Sequence, residues 1–134
     1  MNRSLILRVL TGLALLGVAI VHLDIASTYQ EVGKHPLALS DQFYAQSAIA
    51  LVLAVALIVK PHLLVWLAAV GFGVGSLAVL VYSRYETIPI YGFPPGFQET
   101  WMAKGAQQAA VFEGAAIVLA LAGAALARRR KSNY

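Results

Sequence analysis

The chain has 134 residues, 60% of them hydrophobic and 12% charged, with a formal net charge of +4 and a mean hydropathy of +0.73. That balance is too apolar for a soluble domain and reads as one small integral membrane domain. Cysteine is absent, which excludes disulfides, thiolate metal sites, iron–sulfur clusters and thiol redox chemistry.

Four apolar stretches, 5–23, 45–59, 63–82 and 109–127, carry no charge at their centres. A helix crossing a bilayer needs about 20 residues, with roughly 17 to 25 observed. The expected fold is therefore all-α, a four-helix transmembrane bundle with two long structured outer loops. Arg3 and Arg8 ahead of the first stretch resemble a secretory leader, but Val21 to Ser27 offers no small-x-small cleavage site, so the stretch is expected to stay as a helix. The second stretch reaches spanning length by borrowing Phe43, Tyr44 and the stem of Lys60. Lys60-Pro61-His62 then makes a tight turn, with Pro61 ending the helix before it, which predicts that spans two and three are antiparallel neighbours.

Span three carries Gly71-Phe72-Gly73-Val74-Gly75-Ser76. A phosphate loop needs a strand before it and a lysine after it, and neither is present. Gly71 and Gly75 share a helix face, and with Gly12, Gly17, Gly114 and Gly123 they are expected to let helices approach closely, within one bundle or between copies of the chain, as packing in lipid requires. The outer connections, 24–44 and 83–108, hold Tyr29, Phe43, Tyr85, Tyr91, Phe93, Phe97 and Trp101. Pro94-Pro95-Gly96 predicts a semi-rigid cap, and 98–104 a helix that lies in the interface or runs into span four. Tyr91, Phe93, Phe97 and Trp101 are candidate contacts for a partner or ligand; an aromatic belt seating the protein at the interface is the plainer reading.

All six acids, Asp24, Glu31, Asp41, Glu86, Glu99 and Glu113, fall on one side of the span pattern. The other side holds Arg3, Arg8, Lys60, Arg128, Arg129, Arg130 and Lys131, seven of the ten basic residues. Short loops rich in Lys and Arg stay in the cytoplasm, so both termini are expected there, in a multi-pass protein of the cell (inner) membrane. The 128–131 run follows a span directly and reads as an anchor on anionic lipid, with no nucleic-acid partner implied. On this reading the positive charge serves orientation and headgroup contact.

Polar residues inside the spans are the sharper signal. Glu113 lies a little over one turn into span four, where an acid must be protonated or paired. At similar depth stand His22 on span one, Gln46 on span two, and Ser83 and Arg84 at the end of span three. These predict one buried polar cluster, with an Arg84 to Glu113 ion pair and hydrogen bonds from His22 and Gln46 as its simplest form. Other chemistries fare less well on inventory. His22, Asp24 and Glu113, with or without His35, lack diagnostic metal-ligand spacing. Ser83 has no base beside it for nucleophilic catalysis. His22 is the one histidine within a span, which leaves haem only between copies of the chain. No acid stands in the cytoplasmic half to complete a proton relay. No catalytic residue and no metal ligand is assigned.

The order of short motifs is similar to that of small uncharacterised four-span proteins of actinobacterial type: His22-Leu23 closing span one, Ser83-Arg84 closing span three, Pro95-Gly96-Phe97 followed by Glu99 and Trp101, and Phe112-Glu113 in span four. The layout also resembles the DoxX group of small membrane proteins. That resemblance implies architecture and no particular activity. The expectation for function is a non-catalytic accessory or scaffold subunit of a larger membrane protein complex, respiratory complexes included, or a homo-oligomer in the lipid bilayer. Two alternatives stay open: a small transporter or ligand-binding membrane protein using the outer polar cluster, and a redox protein binding haem or quinone.

Overall fold

The computed structural model describes residues 2–30, 38–86 and 100–132, and among these it is an all-α four-helix bundle. The helices are α1 (Arg3–Ala26), α2 (Leu39–Val59), α3 (Leu63–Tyr82) and α4 (Ala106–Ser132), with a 3-10 turn at Ser27–Tyr29. Each is long and apolar enough to cross a membrane. Only 22% to 33% of each helix's most apolar window is buried inside the protein, so most of its apolar surface faces outward. Lipid makes that arrangement favourable and water does not.

Hydropathy marks the spans more narrowly than the backbone does. α2 begins at Leu39 rather than residue 45, because a helix does not stop where polar residues begin. Asp41 sits in its first turn, where the helix dipole favours an acid. Leu39 and Phe43 are buried against Ile25, Ala26 and Tyr29, which docks this extra turn onto α1. Of the helix expected over 98–104, residues 98 and 99 lie outside the described residues and 100–104 are not helical. Trp101 to Gly105 makes turns, and Gly105 has φ +78°, a conformation that ends any helical run into α4. A side chain there would also meet Ile25 at 2.6 Å.

Packing follows chain order around the bundle. α1 lies most extensively against α2 and α4, and α4 against α3. α2 and α3 are neighbours, as their tight turn predicts, but theirs is the thinnest side of the bundle: Lys60-Pro61-His62 pins them at one end. His62 caps α3, its Nδ1 accepting from the Leu64 N–H at 3.3 Å. The core of the basic half is mainly apolar, with Leu15, Leu57, Trp66, Ala69, Ala116 and Ala120 all buried, and the buried Thr11 hydroxyl donates to Leu7 O at 2.7 Å.

Within the single bundle the glycines divide. A Cβ on Gly71 or Gly75 would meet nothing within 4 Å, and both lie on the exposed face of α3. Close approach instead belongs to Gly73, where a Cβ would stand 2.7 Å from Ile117 of α4, and to Gly17 and Gly123, each 2.4 Å from the rings of Phe112 and Trp66. The middle glycine of the cluster packs because it is the one turned inward. Arg8, expected to serve orientation, has a structural task as well. Its guanidinium donates to Leu57 O at 2.9 Å and to Ile58 O, two of the carbonyls that the end of α2 leaves without helical partners.

Candidate functional site

The four residues expected to form a polar cluster, His22, Gln46, Arg84 and Glu113, line one cavity at the acidic end of the bundle. Each comes from a different helix or its end, and α1 to α4 all contribute walls. The cavity has a volume of about 40 Å³, room for roughly three water-sized groups. It is several-fold smaller than the pockets of about 300 Å³ or more that hold larger ligands.

His22 and Glu113 form its base. They are 3% and 1% exposed, and His22 Nε2 stands 3.6 Å from Glu113 Oε1, long for a hydrogen bond but close enough for strong electrostatic attraction. The other imidazole nitrogen, Nδ1, is 2.8 Å from Val18 O on the preceding turn of α1. A carbonyl can only accept, so Nδ1 carries a proton and donates it there. In that tautomer Nε2 is the nitrogen without an N–H, and it is the one that faces the Glu113 carboxyl.

The expected Arg84–Glu113 ion pair is not what forms. Arg84 is 8% exposed, and its Nη1 donates to Thr100 O at 3.1 Å while the guanidinium lies 5.6 Å from the centroid of the Trp101 ring. The bend beginning at Ser83 explains this. Ser83 closes α3 with its N–H on Val79 O, and the next residue leaves the helix and points toward the segment before α4. Gln46 does not bond Glu113 either. Gln46 Oε1, Gln42 Oε1 and Glu113 Oε2 are buried and accept no hydrogen bond from any described residue.

Of the aromatic contact candidates, Trp101 is half-buried and supports Arg84. Tyr91, Phe93 and Phe97 lie outside the described residues, as do Glu31, His35 and Glu99. Two aromatics from the segment 24–44, Tyr29 and Phe43, wall the cavity. Phe43 meets the His22 ring edge-on with centroids 5.5 Å apart, and Tyr29 meets Phe43 at the same distance. Asp24, weighed as a metal ligand with His22 and Glu113, points away. It is 65% exposed and pairs with Lys104 at 3.3 Å. Haem is disfavoured on geometry: both His22 nitrogens face protein groups, and at 3% exposure no macrocycle lying between two copies reaches the ring.

Sequence reasoning missed Gln42 and Ser47. Gln42 stands one turn before Gln46, so the pair presents two amides to one face of α2, a spacing visible in the sequence once the helix is extended to Leu39. Ser47 donates to Ala19 O at 2.8 Å, tying α2 to α1 just below the cavity. Compared with protein-family models, curated proteins and solved structures, the chain matches none.

Proposed function

We propose that this chain is a cell-membrane protein, with both termini in the cytoplasm, that binds a small hydrogen-bond-donating cation of the ammonium or protonated-amine class at the outer end of its bundle. The observation that carries the reading is the meeting in one cavity of three buried acceptor oxygens, on Gln42, Gln46 and Glu113, that accept no hydrogen bond from the described residues. A buried acceptor without a donor costs about 1–3 kcal/mol, so three of them amount to roughly 3–9 kcal/mol against a total stability of about 5–15 kcal/mol. A ligand bearing N–H groups recovers that energy. The edge of a polarised carboxyl–imidazole pair and the rings of Phe43 and Tyr29 favour positive charge, and the volume favours a ligand of very few heavy atoms. Orientation rests on the seven basic residues at the opposite end.

The apolar packing of Leu15, Leu57 and Trp66 below the cavity favours binding over passage across the bilayer. Thermal unfolding of the detergent-solubilised chain, followed by circular dichroism at matched ionic strength, tests the reading. Ammonium and methylammonium chloride are expected to raise the midpoint, by the equivalent of about 2.7 kcal/mol at about 100 times the dissociation constant. Sodium and tetramethylammonium, which lack N–H donors, are expected to leave it unchanged, and Glu113→Gln or Gln46→Leu to remove the response. Equal midpoints in all four salts would overturn it. The accessory-subunit reading competes directly: it requires a larger partner in stoichiometric amount after purification in mild detergent.

A further inference from the structure

At the opposite end of the bundle, a groove of about 250 Å³ runs between α1 and α4, lined by Arg3, Leu7, Ala122, Ala125, Leu126 and Arg129. Its floor and walls are apolar, and its only polar lining residues are two arginines. We infer that this groove binds one anionic phospholipid, with the phosphate at Arg3 and Arg129 and an acyl chain along Leu7, Ala122 and Ala125.

Spacing on the helices builds the groove. Arg3 and Leu7 are one turn apart on α1, while Ala122, Ala125, Leu126 and Arg129 recur on one face of α4. The two alanines leave a trough where larger side chains would close the surface, and it reaches about 10 Å from Arg129 toward the bundle centre. Charge identifies the occupant. The described acids, Asp24, Asp41, Glu86 and Glu113, all lie at or near the other end of the helices, so no described carboxylate is at hand for Arg3 or Arg129. Arg3 moreover occupies the first turn of α1, the positive end of the helix dipole, and that turn holds no acid. A cation placed there is destabilising until an anion joins it. Arginine's planar fork suits phosphate, and basic pockets between membrane helices are where anionic headgroups settle. An acidic peptide would match the arginines but not the lipid-facing trough beneath them.

Native mass spectrometry of the full chain, released from nanodiscs of equal phosphatidylglycerol and phosphatidylcholine, reads the occupancy. One phosphatidylglycerol per chain is expected to be retained over phosphatidylcholine, with retention falling about tenfold in the Arg3→Gln/Arg129→Gln variant. Arg128→Gln removes an exposed charge outside the groove and should leave retention intact. Ala122→Leu/Ala125→Leu keeps both arginines but fills the trough, and should lower retention to the same degree; it also serves if the arginine variant fails to fold. Equal retention of the two lipids overturns the inference, as does an Arg128→Gln loss matching that of the double variant, which would mark diffuse attraction to the basic tail. Retention unaffected by the alanine substitutions, or competed away by an acidic peptide, would overturn the acyl-chain site.

Discussion

The His22–Glu113 pair gives the most direct test of the cavity's construction. Removing His22 alone, as His22→Leu, leaves a carboxyl at 1% exposure with neither oxygen partnered, and also removes the donor to Val18 O. Breaking one side of a buried pair typically costs about 3–5 kcal/mol. Glu113→Leu leaves the His22 Nε2 facing an apolar group, while Nδ1 keeps its bond to Val18 O, so its expected cost is lower, about 1–3 kcal/mol. Replacing both residues removes the mismatch and leaves a packed apolar layer, so the double variant is expected to lie within about 1.5 kcal/mol of the wild type. At 3.6 Å and an effective dielectric of about 20, full charges attract by roughly 4–5 kcal/mol, which bounds the coupling from above. Equilibrium unfolding in mixed detergent micelles with rising dodecyl sulfate, read by circular dichroism, measures all four corners of the cycle. Coupling below about 0.5 kcal/mol would show that the two groups do not interact and would refute the argument.

The glycines offer a second test: Gly71→Ala and Gly75→Ala meet open space and should stabilise by about 0.5–1 kcal/mol through helix propensity, whereas Gly73→Ala should lose that gain against Ile117, and equal effects at the three positions in the same unfolding assay would contradict the assigned packing. Gly105→Ala should cost about 1–2 kcal/mol, since φ +78° disfavours a Cβ that would in any case meet Ile25. Arg8→Gln should loosen the end of α2 by about 1–3 kcal/mol, read as faster amide exchange at residues 56–60 with α4 unaffected, and uniform exchange along the chain would argue against the cap.

Much of this architecture is legible in the sequence because membrane helices are written in composition: four apolar runs separated by charge and proline give number, class and approximate ends. What composition cannot convey is rotation about each helix axis. Gly71 and Gly75 form the pattern that draws the eye, yet Gly73 faces α4, since in a helix hydrophobic on every side no polar stripe marks the outward face. The same limit hid Gln42, whose partnership with Gln46 depends on α2 continuing above the apolar run. For the polar cluster, depth was readable but pairing was not. Arg84 and Glu113 share a layer and opposite charge, but Ser83 closes the helix first and turns Arg84 toward Thr100 and Trp101.

The two ends of the bundle meet one problem in opposite ways. At the basic end, α2 leaves Leu57 O and Ile58 O without helical donors, and Arg8 reaches across from α1 to supply them. At the acidic end two cations also border the acceptors. Arg84 and Lys104 both line the cavity, yet Arg84 donates to the Thr100 carbonyl and Lys104 pairs with exposed Asp24. Gln42 Oε1, Gln46 Oε1 and Glu113 Oε2 nevertheless accept no hydrogen bond from any described residue. A clamp whose sole task was to hold helices together would gain about 1 kcal/mol or more from each such bond, with donors already at the cavity wall. Leaving the acceptors open is consistent with a donor that comes and goes, and it makes the position of those two cations informative. If Lys104→Gln, which removes the Asp24 partner without altering an acceptor, leaves the ammonium response intact while Gln42→Leu abolishes it, the oxygens rather than the rim charges define the site. The reverse pattern would mean that the cavity is organised around its cations and takes an anion instead.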